Sequence, residues 1–255
     1  MITTVVRDRA VTVMSLMALV VVWWGVAAWV ATPRTFPGPA AVAAILWSEV
    51  TAGPLLAHLG ATLTRVVAAF GLAMGLGAVL GVLLGTMPRV NRWIDPWLVV
   101  ALNLPALIVI VLCYLWIGLN ETAAITAVAF NKMATVAVAL REGARTLDRP
   151  LADMARVYRL SWGARVRHVV LPQLAPYLAG AARNGLAIIW KLVLVVEFLG
   201  RPDGIGYQIH LYFQLFDVAS VMAYALSFII VMLTIEYGLL QRWEGHVTRW
   251  RMVVA

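Results

Sequence analysis

Six stretches of this chain run long and mostly apolar, at residues 11–31, 61–87, 94–118, 122–140, 173–200 and 218–240. A hydrocarbon core of roughly 30 Å takes about 20 helical residues to cross, which is the length of these stretches. The pattern predicts an all-α polytopic membrane protein with about six transmembrane helices, a single domain over 1–255. Stretch 11–31 ends in "GVAAWVA", small residues of the kind a signal peptidase accepts. Its apolar run is longer than a signal core, so it reads as a retained span. After it, "TPRTFPGP" punctuates the chain, and residues 40–50 form a short amphipathic helix expected at the outer surface.

Two breaks in the apolar pattern have a local meaning. The second span carries Gly71, Gly75, Gly77, Gly81 and Gly85, spacing that puts glycines on one face and lets a neighbouring helix approach closely. The third is interrupted by Asn103, Leu104 and Pro105. Proline removes a backbone donor, and in a bilayer the freed carbonyl needs a partner or a wet cavity. The break marks either a plain kink or a point on a substrate path, with Asn103 and Pro105 as candidates for the latter.

Composition agrees with the membrane class: 63% of residues are hydrophobic and 13% charged. Most of the 20 basic residues fall in four segments, namely Arg7 with Arg9, Arg89 with Arg92, the seven arginines from Arg141 to Arg167, and Arg242, Arg249 and Arg251. The opposite loops hold Arg34 and Arg201. Cytoplasmic loops carry the positive excess, so both termini are expected in the cytoplasm. The net charge of +8 is accounted for by this bias and by anionic headgroups, without nucleic acid. Cys113 is the single cysteine, which excludes an internal disulfide. The four histidines are scattered, and no nucleotide-binding P-loop, zincin or nucleophile-elbow motif occurs, which disfavours catalysis and metal binding.

The basic segment from about 141 to 172 carries more information than its charge. Asp148 is placed to cap a helix running to about Leu160, with Pro150 in its first turn. Ser161 is placed to cap a shorter helix ending before Leu171 and Pro172. Together they would expose Arg156, Arg159, Arg165 and Arg167, with Tyr158, Trp162 and Val166 as an apolar complement. A merely solvated loop would not need two capped helices with aromatics.

This segment resembles the cytoplasmic loop of permease subunits of bacterial ABC importers, within them the nitrate/sulfonate/taurine type. That signature reads E-A-A, three residues, G, nine residues, I, any residue, L-P. Here Asp153-Met154-Ala155 stands at E-A-A, Arg159 at G, Val169 at I, and Leu171-Pro172 close the pattern in register. The stretches "TFPGPAAV", "GATLTRVVAAFGLAMGLGAVLGVLLG" and "VVEFLGRPDGIGYQI" look like that subfamily too, so nearly the whole chain is covered. Two positions depart from the pattern. Aspartate replaces glutamate at 153, and Arg159 occupies the glycine position, where either the turn is reshaped or the helix runs on into Leu160.

The resemblance implies a type I importer-like fold in the bacterial inner membrane, with two copies forming one path. It implies an ATP-binding cassette ATPase dimer below and a periplasmic solute-binding protein above. ATP and magnesium would sit on the partner ATPase, with no cofactor on this chain. The coupling helix would be 161–169, and the coupling set Asp153, Ala155, Arg159, Ser161, Trp162, Gly163, Arg165, Arg167, Leu171 and Pro172.

Charges within spans are costly and therefore functional candidates. The fourth span contains Asn131 and Lys132, the fifth Arg183, Asn184, Lys191 and Glu197. Asn184 and Lys191 are seven residues apart and share a helix face. If Lys132 looks the same way, the path is electropositive at mid-depth and suits a small anion such as a sulfonate, taurine or nitrate. An uncharged pyrimidine-type vitamin precursor is the alternative cargo within the resemblance. The rival class is an ion-coupled secondary transporter, which predicts an inverted repeat not found here.

Overall fold

The computed structural model describes residues 2–236 and Gly238. The far end of the last predicted span, His246, and the basic residues Arg242, Arg249 and Arg251 lie outside the described residues, as do the side chains of Arg7 and Arg9. The described chain is helical throughout: α1 Ile2–Val30, α2 Pro39–Thr51, α3 Leu55–Thr86, α4 Pro88–Asn103, α5 Ala106–Ile117, α6 Glu121–Arg145, α7 Arg149–Val157, α8 Trp162–Arg165, α9 Leu171–Gly200, α10 Ile205–Gln214 and α11 Val218–Ile235. A π-helical turn, Val166–Val170, joins α8 to α9.

Among the described residues, four helices are long and apolar enough to cross a membrane: Leu55–Thr86, Glu121–Arg145, Trp162–Gly200 and Val218–Ile235. The pair α4 and α5, apolar enough when taken together, is bent by 98° at Asn103-Leu104-Pro105, as a broken span or a re-entrant hairpin would be. The proline break expected from sequence is therefore a sharp corner. Asn103 Nδ2 donates to Val99 O at 2.7 Å, folding its side chain back on the last turn of α4. α1 is 29 residues long, Ile2–Val30. Trp23 Nε1 donates to Pro37 O at 3.1 Å, pinning α1 to the linker before α2.

α6 is the central helix, and its alanines explain why. Ala123, Ala127, Ala134 and Ala137 are buried, and α3 lies against the loop-end half of α6, Gly77 on Val136, Gly81 on Ala137 and Leu140, and Gly85 on Ala144. A Cβ on Gly81 would collide with Ala137 O and Leu140, and one on Gly85 with Ala144. Small residues on both helices allow backbone approach, the packing mode available where lipid gives no hydrophobic drive. Gly71 and Gly75 have open space around them. The single glycine face expected from the sequence is thus two, of which only the Gly77-Gly81-Gly85 part packs.

The bundle has two polar ends. At one, which carries the α7–α8 loop, Arg141 of α6 is ion-paired with Asp95 of α4 and donates to Asn91 Oδ1 at 3.2 Å. At the far end, charges from α3, α6 and α9 converge around Arg65.

Candidate functional site

The arginine-rich loop forms two helices, as its capping residues predict, with a different junction at each end. α7 stops at Val157, three residues short of the expected end at Leu160. Arg159 N donates to Arg156 O and Leu160 N to Ala155 O, both at 3.0 Å, the paired bonds of a Schellman turn. That turn needs a left-handed residue, and Arg159 supplies it with φ +50°. Arginine therefore neither reshapes the glycine turn nor extends the helix; it adopts the conformation in which glycine is unstrained. Ser161 Oγ accepts from Ala164 N at 3.3 Å and caps α8. Asp148 sits at the N-cap of α7 without a side-chain cap bond, and its backbone N–H donates to Gln173 Oε1 at 2.8 Å.

The second helix does not end before Leu171 and Pro172. Residues Trp162–Gly200 form one continuous helix. Pro172 has no N–H to give to the preceding turn, and the π-helical turn absorbs that loss, with Leu171 N bonded to Val166 O. The loop therefore leads directly into a spanning rod.

At the tip of the loop, Val157, Tyr158 and Trp162 are 79%, 74% and 82% exposed. Arg159, Ser161, Gly163 and Arg167 are exposed beside them, Arg165 is half-buried, and Ala155 is buried. Asp153 is exposed and paired with Arg156 at 3.0 Å. Leu171 is exposed at the start of α9.

Along α9, Gly180, Arg183, Asn184, Ala187 and Lys191 are exposed, a polar and small-residue stripe on an otherwise apolar span. The structure thus places Asn184 and Lys191 on one open face. Beside them an open cleft of about 370 Å³ is lined by Gly180, Arg183, Asn184, Ala187, Trp190, Met232 and Glu236. Arg183 Nε pairs with Glu236 Oε1 at 3.4 Å across that cleft. Lys132 does not share this face: it is buried on α6, while Asn131 beside it is half-buried. Asn103 and Pro105 are exposed at the α4–α5 corner.

Glu197 belongs to the far-end network. Arg65 Nη1 donates to Glu197 Oε1 at 2.7 Å and to Asp203 O at 3.0 Å, Arg65 Nε donates to Glu121 Oε1 at 2.8 Å, and Arg65 is also paired with Asp203 Oδ1. Glu197 Oε2 accepts from Thr62 Oγ1 and from Gly206 N, each at 2.9 Å. Arg201 Nη2 pairs with Glu121 Oε2 at 2.8 Å, and Gly204 N donates to His58 Nδ1 at 3.0 Å. Gly204, at φ +105°, and Gly206 leave the room that the Glu197 side chain fills. The sequence reading assigned Arg65, Glu121, Asp203 and His58 no role. An arginine in a span always needs a partner, and that requirement was the available signal.

Residues 73–243 match the family described as "Binding-protein-dependent transport system inner membrane component". The chain belongs to that family and is a multi-pass membrane permease of a binding-protein-dependent transport system. It is 36% identical over 179 residues to the putative aliphatic sulfonates transport permease protein SsuC of Escherichia coli (strain K12), covering 70% of this chain and 68% of that one. It is 27% identical over 255 residues to the taurine transport system permease protein TauC of the same organism, covering 94% of this chain and 92% of that one. Among solved structures, a chain of the MetNI methionine ABC transporter in an inward-facing conformation shares the fold, with TM-score 0.66, 19% identity, and 79% and 99% of the two chains covered.

Proposed function

We propose that two copies of this chain form the translocation path of an ATP-driven importer for a small anion, of the sulfonate, taurine or nitrate class, in a bacterial inner membrane. A pair of ATP-binding cassette subunits docks at the loop end, which faces the cytoplasm. A solute-binding protein delivers cargo at the far end. Six spans and cytoplasmic termini complete this arrangement, with α1 as the first crossing and the α4–α5 pair as a bent one.

The observation that carries the reading is the tip formed by Val157, Tyr158 and Trp162. Large apolar side chains left uncovered at the tip of a basic loop suit a groove on a partner protein, where aromatic and arginine anchors supply most of the contact energy. The continuous helix Trp162–Gly200 then gives that contact a mechanical consequence, because a push on the tip moves a spanning helix. The anion assignment is supported by the names of the two relatives and by the Asn184 and Lys191 face of α9.

The test is co-purification of the detergent-solubilised permease with the ATPase encoded beside it, comparing the native protein with Trp162→Glu and with Arg165→Glu/Arg167→Glu. The reading expects a stoichiometric ATPase with the native chain and its loss in both variants. A native chain that brings down no ATPase overturns it.

A further inference from the structure

Three arginines on α3, α6 and α9 are answered by acids. Arg65 has three carboxylates, Arg141 has Asp95, and Arg183 has Glu236. Lys132 is different. It is 2% exposed, and its Nζ is sealed from solvent and meets no hydrogen-bonding group among the described residues.

Its depth makes this more costly. At 1.5 Å per residue, Lys132 lies roughly 16 Å along α6 from Glu121 in the far-end network and roughly 20 Å from Arg145 at the loop end. That is about midway between the two polar ends of the bundle, and an ammonium without a counter-charge is least tolerated at the centre of a membrane. The stem of Lys132 runs between α9 and α3. A Cβ added to Gly185 would stand 3.4 Å from Lys132 Cε and 3.9 Å from Phe70 Cε2. Because Gly185 has no side chain, the lysine stem packs directly on the α9 backbone, one residue from Asn184 in the cleft.

α9 is also continuous with the loop tip. Between Trp162 and Gly185 the chain is unbroken helix, with a single π-helical turn. A displacement of α8 is carried along the rod to the seam that covers Lys132.

We propose that Lys132 is a gated anion-binding residue at the membrane midplane: covered here by Gly185 and Phe70, uncovered when α9 shifts with α8, and then bound to the negatively charged oxygens of the cargo. This rests on the reading of the chain as the permease of an anion importer. It adds the residue that meets the cargo charge and the seam that controls it.

The test uses the assembled transporter in vesicles. In a Cys113→Ala background, Lys132→Cys is treated with sulfonatoethyl methanethiosulfonate, nucleotide-free and after vanadate trapping, with buried Ala137→Cys as control. Labelling at least tenfold faster in one state than in the other is expected at 132 and not at 137. Equal rates in both states, or rates no faster than the control, overturn the gate. In parallel, ATP-dependent taurine, ethanesulfonate, nitrate and bicarbonate uptake is compared for Lys132→Met and Lys132→Arg, with co-purified ATPase as the check on assembly. Uptake reduced at least tenfold by methionine and largely kept by arginine is expected. Full uptake by Lys132→Met overturns the anion contact. If the native transporter moves none of these anions, the anion reading fails and the proposed ligand fails with it, while state-dependent labelling still decides whether residue 132 is gated.

Discussion

Arg65 and Glu197, 132 residues apart in sequence, meet at 2.7 Å with the glutamate fully buried. Through Glu121 and Asp203 the same guanidinium also holds α6 and the turn into α10. One side chain thus fixes the far ends of three spanning helices. A carboxylate sealed at that position depends on it, because a buried charge is tolerated only when paired and hydrogen-bonded.

Arg65→Ala leaves Glu197 buried without its cation and is expected to destabilise the protein by about 3–5 kcal/mol. Thermal unfolding in detergent measures this. The double variant Arg65→Ala/Glu197→Gln should lose less than the two single losses added together, because the stranded charge is gone. Strict additivity would show that the pair is not coupled.

Gly81 and Gly75 lie on the same helix with opposite surroundings. Gly81→Val pushes α3 off α6 and should cost about 1–3 kcal/mol by overpacking, whereas Gly75→Val meets open space and should leave the unfolding midpoint unchanged. Equal effects at both positions would contradict the α3–α6 contact described above.

Arg159 holds a left-handed conformation that costs an L-residue about 1–2 kcal/mol. Arg159→Gly should recover about half of that, since glycine loses more chain entropy on folding. Slower amide exchange at Leu160, whose N–H closes the turn, is the local readout. Arg159→Val should act in the opposite direction, because a branched Cβ disfavours positive φ more strongly.

Trp162 is the most exposed aromatic at the loop tip. If it fills a pocket on the ATPase, Trp162→Ala should weaken binding by about 2 kcal/mol, roughly thirtyfold, while the melting temperature of the isolated permease stays constant. A change in melting temperature without a change in affinity would instead assign Trp162 to the fold.

The class of protein, the loop and its capping serine, and the corner at Pro105 all follow from local information. Run length, a proline and a side-chain oxygen next to free N–H groups act within a few residues, so they can be read along the chain. The pairing of Asn184 with Lys191 is legible for the same reason, because helical periodicity fixes which residues share a face. The rest depends on which helices meet. Sequence spacing does not reveal that Gly81 packs on Ala137 while Gly75 packs on nothing, or that Glu197 faces Arg65 instead of a path. Nor does it distinguish Lys191, exposed on its helix, from Lys132, buried behind a glycine of another. Those differences arise from contacts between residues far apart in the chain, and only the packed bundle decides them.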